Sequence, residues 1–251
     1  MDENRTPAQA NSFGLAVDEY ERSRPGYPQA AIEWLVPEEA HTVLDLAAGT
    51  GKLTRSLVAR GLDVVAVEPD DEMRTRLAAV IPSVRALKGT AEHIPLPDAS
   101  VDAVTVAQAW HWVDEALAVP EIARVLRPGG TLGLVWNVRD ERVDWVHKLG
   151  DIIQNHAVDR ALAELRGIGE PFGPLEAFET DWAQTVTPES LITLVESRSY
   201  MITATDDHRR ATLDAVRRLM ETDPALAGRD RFELPYRTYC FRAVVRSAPI
   251  D

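Results

Sequence analysis

Acidic residues and glycines cluster where two apolar runs of the sequence end. The first run, TVLDLA, carries Asp45, and a turn with Gly49 and Gly51 follows it. The second run, DVVAVEP, contains Glu68, 23 residues after Asp45. Glycines let a ligand approach the backbone closely, and carboxylates repel a phosphate in a partly dry site. This pattern therefore favours a ligand that is cationic or rich in hydroxyl groups.

Three ligand classes compete for the glycine-rich turn. A P-loop is excluded because the glycines are too close together and Leu53 stands where a magnesium-binding hydroxyl is needed. The dinucleotide pattern G-x-G-x-x-G places its third glycine at Thr54, or at Lys52 when counted from Ala47. S-adenosylmethionine has no phosphate, and its ammonium suits Asp45, either directly or through water. The turn can also be a purely structural strand-to-helix link.

Four further residues fit the adenosine half of such a ligand. Glu68 stands where an acid accepts hydrogen bonds from both ribose hydroxyls. Met73 either lies against the adenine or belongs to the core. In the stretch GTAEHIPLPDASVD, Ala91 offers a backbone N–H to a ring nitrogen and Glu92 a carboxylate to the exocyclic amine. Asp70 is the expected N-cap of the helix that contains Met73.

The stretch AQAWHWVDEA contains the candidate for proton transfer. His111 is the best-placed base, and a structural histidine that orders the loop is an equal alternative. If the ligand is S-adenosylmethionine, transfer of its methyl group needs a base only when the nucleophile is protonated at neutral pH. One of the neighbouring tryptophans, Trp110 or Trp112, is expected in the core, and the other can form an apolar wall near the methyl group.

The elements around these residues predict an α/β fold. Apolar strands alternate with helical segments from about residue 42 to residue 138, which is typical of a doubly wound parallel sheet covered on both faces. Ligands of such sheets bind at the carboxyl ends of the strands. Beyond residue 138, helices dominate, with FETDWAQTV and ELPYRTYCFRAVV as two later strands.

The motifs VLDLAAGTGKLTR, VVAVEPDDEM, GTAEHIPLPDASVDAVTVAQAWHWVD and ALAVPEIARVLRPGGTLGLVWN resemble those of class I S-adenosylmethionine-dependent methyltransferases. The group acting on small molecules, which includes trans-aconitate methyltransferase-like enzymes, is the most similar. The family more often has glycine at the position of Ala47. The resemblance implies a mostly parallel seven-stranded sheet of order 3-2-1-4-5-7-6, with the seventh strand antiparallel. It places the cofactor at Asp45, Gly49, Gly51, Glu68, Ala91, Glu92 and Gln108.

The segment DEYERSRPGYP precedes the first strand and is expected to act as a lid. The resemblance implies that Tyr20 or Arg24 binds the cofactor carboxylate. A packed N-terminal helix is the alternative. We expect a lid over residues 1–40 and a methyltransferase domain over residues 41–251, with a helical substrate-pocket region at about 141–230.

Composition limits the partners. The chain of 251 residues has a formal net charge of −13 and no Lys/Arg cluster, which argues against nucleic acid as a partner. The polar start and the lack of a long apolar stretch predict neither a signal peptide nor a membrane span. The single cysteine, Cys240, is expected to be a buried apolar residue and suits a reducing, cytoplasmic compartment. The histidines and acids show no metal-ligand spacing, so no metal is expected.

The sequence therefore predicts transfer of a methyl group from S-adenosylmethionine to a small-molecule acceptor by SN2 displacement. Two other functions stay open at this point. One is an S-adenosylmethionine-binding regulator without turnover, and the other is an NAD(P)-dependent oxidoreductase, which the glycine pattern and Asp45 disfavour.

Overall fold

The structure is a computed structural model that describes residues 24–153, 157–197, 201 and 204–246. Seven strands form one sheet in the order β3-β2-β1-β4-β5-β7-β6. The strands are β1 Thr42–Leu46, β2 Asp63–Val67, β3 Arg85–Leu87, β4 Val101–Ala107, β5 Leu126–Arg139, β6 Glu176–Val186 and β7 Phe232–Val244. The predicted mostly parallel sheet and its strand order are confirmed.

The centre of the sheet is parallel and apolar. β1 pairs in parallel with both β2 and β4, and β4 pairs in parallel with β5. Four of the five residues of β1 are buried. Strands covered on both faces need such continuous apolar runs, which explains why TVLDLA does not alternate with polar residues.

The helices are α1 Gln29–Leu35, α2 Lys52–Ala59, α3 Asp71–Val80, α4 Glu115–Val125, α5 Asp144–Ile153, α6 Ala157–Glu164, α7 Pro188–Glu196 and α8 Asp206–Thr222, with a 3₁₀ turn at Trp110–Trp112. The first four pack on the two faces of the parallel centre of the sheet. Successive strand residues point to opposite faces. Accordingly, Val43 packs in one core cluster with α1, α2 and α3, whereas Leu44 and Leu46 pack in the other with α4.

Local signals explain where the helices near the turn begin and end. The Asp70 side chain accepts a hydrogen bond from Met73 N at 2.8 Å, which confirms Asp70 as the N-cap of α3. α2 ends at Ala59, and Gly61 follows with a φ of 85°. Glycine adopts this left-handed conformation without strain, so it closes the helix.

The chain divides into two compact units. One contains the described parts of Gly26–Val138, His156–Trp182 and Arg237–Asp251, and the other those of Met1–Pro25, Arg139–Asn155 and Ala183–Tyr236. In the second unit, Lys148 of α5 forms an ion pair with Asp223, the C-cap residue that follows α8, with 2.9 Å between Nζ and Oδ2. No helix within the described ranges has the length and apolar character to cross a membrane.

The predicted N-terminal lid over residues 1–40 is only partly described. Its described part includes α1, whose Ala31, Ile32 and Leu35 are buried in the core cluster of α2 and α3. Residues 26–40 thus belong to the first unit, while the lid itself stays a prediction.

Candidate functional site

The turn after β1 holds three residues in the left-handed conformation. Ala47, Gly49 and Gly51 have φ values of 56°, 58° and 90°. A side chain at Gly51 would also lie 3.0 Å from Ile81 Cδ1, so glycine is needed there for α2 to approach α3. A Cβ at Gly49 would meet nothing within 4 Å, which leaves space for a ligand beside the backbone. The family's usual glycine at position 47 is explained by its positive φ, which alanine adopts only with strain.

Asp45 lies beneath this turn and is fully buried. Its Oδ2 accepts a hydrogen bond from Thr54 Oγ1 at 2.5 Å, while its Oδ1 has no hydrogen-bond partner within the described residues. Burial raises the pKa of the Asp45 carboxyl to about 7, with a smaller contribution from the nearby Glu68 and with Thr54 opposing the shift. The Asp45 carboxylate thus has one oxygen that accepts no hydrogen bond within the described residues, and a nearby cation would stabilise its ionised form.

Glu68 ties the turn to the end of β2. Its Oε2 accepts from Gly49 N at 2.8 Å and its Oε1 accepts from Asp70 N at 2.9 Å. The buried carboxylate therefore connects two successive strand-to-helix turns at the carboxyl edge of the sheet. Met73, one turn further on, is 39 % exposed, so its side chain is available at the surface rather than enclosed in the core.

The loop after β3 approaches the 3₁₀ turn after β4. Ala91 is buried in the core, and Glu92 Oε1 accepts a hydrogen bond from Asp114 N at 3.0 Å. Glu92 therefore links the loop predicted to bind adenine to the segment that carries His111 by a hydrogen bond. Its role toward the adenine amine stays a prediction.

The two tryptophans that follow β4 lie in opposite environments. Trp110 is buried and donates from Nε1 to Glu115 Oε1 at 2.9 Å, whereas Trp112 is 74 % exposed. His111 stands between them, half-buried, with its ring 4.9 Å from that of Trp112. Its Nδ1 finds no hydrogen-bond partner in the described part of the chain, and burial lowers the pKa of the imidazole. A neutral imidazole with an unused ring nitrogen has the form that a general base requires.

Gln108 is the first residue after β4 and has a φ of 58°. Its backbone N donates to Val135 O at 2.9 Å, and its Nε2 donates to Asn137 O at 3.2 Å. The predicted lid residues are less fully described. Arg24 donates from Nη2 to Ser197 O at 2.7 Å, and Tyr20 lies outside the described residues.

Two polar residues of this region were not singled out from the sequence. Thr54, in α2, is the partner of Asp45, and Asn137 is the partner of Gln108. Asn137 had a usable signal, because it is a polar residue at the end of an apolar strand, as Asp45 and Glu68 are. Thr54 had none, since its bond depends on how α2 packs on β1.

The residues at the edge fit S-adenosylmethionine in three respects. Asp45 Oδ1 is buried without a partner among the described residues, Gly49 leaves open space, and the neighbouring carboxylate of Glu68 adds negative charge. Carboxylates and an open glycine suit a ligand with an ammonium, a sulfonium and ribose hydroxyls. Within the described ranges, no three His, Cys, Asp or Glu side chains are grouped as metal ligands.

Comparisons with known proteins find relatives that are named as methyltransferases. Residues 44–134 match the family model described as "Methyltransferase domain". An uncharacterized methyltransferase of Mycobacterium tuberculosis is 56% identical over 93% of this chain and 96% of its own. An uncharacterized methyltransferase-like protein of Schizosaccharomyces pombe is 34% identical over 92% of this chain and 94% of its own.

One solved structure is similar to this chain over most of its length. It is that of an Anaeromyxobacter dehalogenans protein named provisionally as a type II methyltransferase. The two chains superpose with a TM-score of 0.66 at 26% identity, over 88% of this chain and 97% of the other.

Proposed function

This chain belongs to the class I S-adenosylmethionine-dependent methyltransferases of type 11, and from that premise we propose that its methyl acceptor is a small molecule. The observation that carries the proposal is the charge. The chain has 40 acidic residues against 27 basic ones, and buried carboxylates lie at the carboxyl edge of the sheet. A nucleic-acid substrate requires basic side chains that replace phosphate counterions, so this surplus favours a small metabolite.

A second observation supports a small acceptor. The helical region predicted to form the substrate pocket contains a groove of about 600 Å³ lined by residues of α7, α8 and the start of β7. Small-molecule pockets usually have volumes of roughly 300–1,000 Å³. Apolar and charged side chains both line the groove, among them Ile192, Met220 and Arg217.

The proposed mechanism assigns binding and proton transfer to different residues. When bound, S-adenosylmethionine supplies a methyl group on a sulfonium that an in-line nucleophile can displace. Glu68 would accept hydrogen bonds from the ribose hydroxyls, and Asp45 would favour the cationic end of the ligand. His111, neutral because burial lowers its pKa, takes the proton of an acceptor that is protonated at neutral pH. Positioning of the two reactants accounts for most of the rate gain.

The experiment that tests the cofactor assignment is calorimetry of the full chain with S-adenosylhomocysteine and, separately, NADH. We expect micromolar binding of S-adenosylhomocysteine, no detectable binding of NADH, and a melting temperature that rises with ligand concentration by mass action. Binding of NADH alone would contradict the assignment.

The acceptor class needs a separate experiment. Incubating the protein with S-adenosylmethionine and pools of small metabolites, or with nucleic acid, should release S-adenosylhomocysteine only with the metabolites. Release with nucleic acid alone would overturn the small-molecule proposal. Tight cofactor binding without turnover on any pool would favour the alternative function, a regulator that binds S-adenosylmethionine.

A further inference from the structure

A chain of hydrogen bonds converges on Asn137 near the carboxyl end of β5. Its Oδ1 accepts from Thr238 Oγ1 at 2.6 Å, and its Nδ2 donates to Gly26 O at 2.7 Å. Thr238 Oγ1 in turn accepts from Trp182 Nε1 at 2.8 Å. The backbone carbonyl of Asn137 accepts from Gln108 Nε2 at 3.2 Å. All five residues belong to the first unit, and both Asn137 and Thr238 are buried.

The donors and acceptors fix the direction of this chain. An indole N–H can only donate, so the Thr238 oxygen must accept from Trp182. The Thr238 hydroxyl hydrogen is then used toward Asn137 Oδ1. The amide of Asn137 can consequently point only its NH₂ group toward the Gly26 carbonyl. The orientation of a buried amide is thus set by side chains 45 and 101 positions away in the sequence.

Two of the three ends of this network, Gln108 and Gly26, lie near the carboxyl end of β5, at the edge where the cofactor site is expected. Gln108 is the residue after β4 that the family resemblance assigns to the cofactor, and its side-chain amide is held by the Asn137 carbonyl. Gly26 begins the segment that leads into α1, and its carbonyl is held by Asn137 near the carboxyl end of β5. Ligands of this fold bind at the same carboxyl edge of the sheet.

We propose that Asn137 is a positioning residue of the cofactor site: its side-chain amide holds the backbone at Gly26, beside the Gln108 side chain that its own backbone carbonyl accepts from. The proposal rests on the proposed function, because it takes S-adenosylmethionine as the ligand. Asn137 touches no reacting atom in this role. Replacing its side chain therefore weakens cofactor binding by releasing the backbone at Gly26, while the backbone carbonyl that accepts from Gln108 is retained and the rest of the site stays folded.

The decisive variant is Asn137→Asp, because it changes the amide's donor into an acceptor at nearly constant shape. The ionised carboxylate still accepts from Thr238 but repels the Gly26 carbonyl, whereas the protonated carboxyl can again donate to it. Calorimetry should give a dissociation constant for S-adenosylhomocysteine at least about tenfold above the wild type near pH 8. Near pH 5.5 the ratio to the wild type at the same pH should fall to within about threefold, since burial raises the pKa of the introduced carboxyl.

Two further variants keep the test informative. Thr238→Val preserves side-chain volume but removes the bond that orients the amide, and we expect a dissociation constant about three- to tenfold higher, without the pH-dependent recovery. Thr131→Val is the matched control, because Thr131 is buried near the other end of β5. The control should bind S-adenosylhomocysteine within about twofold of the wild type even if its melting temperature falls.

The outcomes separate this inference from the proposed function. A folded Asn137→Asp protein that binds as tightly as the wild type near pH 8 overturns the positioning role. If Asn137→Asp does not fold, unchanged affinity of Thr238→Val overturns it instead. A wild-type protein that fails to bind S-adenosylhomocysteine at either pH overturns the proposed function, and this inference with it.

Discussion

The turn after β1 shows how a single residue departs from its family's pattern at a cost in stability. Ala47 has a φ of 56°, a conformation that costs an alanine about 1–2 kcal/mol and glycine almost nothing. Nothing in the structure accounts for the choice of alanine at this position. The positive φ does account for the glycine that the family usually has there.

Replacing this alanine should therefore stabilise the protein. We expect Ala47→Gly to raise the free energy of unfolding by about 0.5–1 kcal/mol, after allowing for the greater freedom of glycine in the unfolded chain. Urea unfolding measures the change. Ala99→Gly is the matched control away from the turn, because Ala99 has a φ of 49°, and it should gain a similar amount. Destabilisation by Ala47→Gly alone would mean that the methyl group of Ala47 makes a contact that matters.

Glu68 carries the clearest prediction for binding. Glu68→Ala removes the predicted acceptor of two ribose hydroxyls and the bond to Gly49 N, so affinity for S-adenosylhomocysteine should fall at least about tenfold. Calorimetry should be accompanied by circular dichroism to confirm the fold. Glu38→Ala, an exposed acid before β1, serves as the control and should bind normally. Normal binding by both variants would make Glu68 a scaffold residue that only joins the two turns.

His111 has a prediction that depends on an identified acceptor. Burial lowers its pKa below the ordinary 6.5, so it is neutral at pH 7, and kcat should fall only on the acid side as it becomes protonated. His111→Ala should remove that acid limb and cost roughly 10²–10⁴-fold in kcat. If His111→Asn keeps nearly full kcat and the acid limb, His111 orders the loop, and the nucleophile is already ionised.

At the scale of elements, Arg124 of α4 fastens the loop that carries Ala91 and Glu92. Its guanidinium directs each of its N–H groups to an acceptor: both oxygens of Glu121, Asp98 Oδ1, and the carbonyls of Ile94 and Leu96. The planar fork of arginine matches these directions, which a lysine ammonium cannot do. The loop is thus held by one side chain from the neighbouring helix.

Arg124→Lys should leave both loop carbonyls poorly satisfied and lower the free energy of unfolding by about 2 kcal/mol. Hydrogen exchange should accelerate in residues 92–100 in particular. Arg127→Lys is a suitable comparison, since Arg127 is more exposed and pairs with Asp102 alone among the contacts described, and it should change stability by less than about 1 kcal/mol. Equal effects of the two substitutions would argue that the fork geometry is unimportant.

The sequence predicted the secondary-structure elements more fully than the contacts between residues that are distant in the sequence. The strand order depends on motifs and the Asp70 cap on a local pattern, and both predictions are confirmed. The opposite environments of Trp110 and Trp112 could not be assigned, because a 3₁₀ turn of three residues has no period that distinguishes its faces. Likewise, Asn137 and Gly26 are 111 positions apart, and only the folded sheet brings them together.

For the whole molecule, Asp45 makes the free energy of unfolding fall as the pH rises, because burial raises the pKa of this carboxyl instead of lowering it. Its pKa is about 7 in the folded protein, against 3.8 as the ordinary value. Between these values the unfolded chain has lost the proton that the folded protein keeps, so this group lowers the free energy of unfolding as the pH rises from about 4 to 7. The contribution is then constant above about pH 7.

Asp45→Asn should remove this dependence. Without ligand, the variant should gain stability relative to the wild type near pH 8 and little near pH 4, because the buried charge is absent only where the wild type is ionised. Denaturant unfolding across this range measures the difference. Asp63→Asn, at an exposed position of β2, should show no such trend. A gain that is independent of pH would mean that the carboxyl of Asp45 keeps its ordinary pKa.

The burial of Cys240 turns the protein's one thiol into a built-in reporter of unfolding. The side chain has no solvent exposure, and burial raises the pKa of the thiol to about 12, so the reactive thiolate is both hidden and scarce at neutral pH. An alkylating reagent can react only in molecules that have opened this part of β7. The labelling rate, followed by mass spectrometry, therefore counts opening events in any variant, in a cell extract as well as in pure solution.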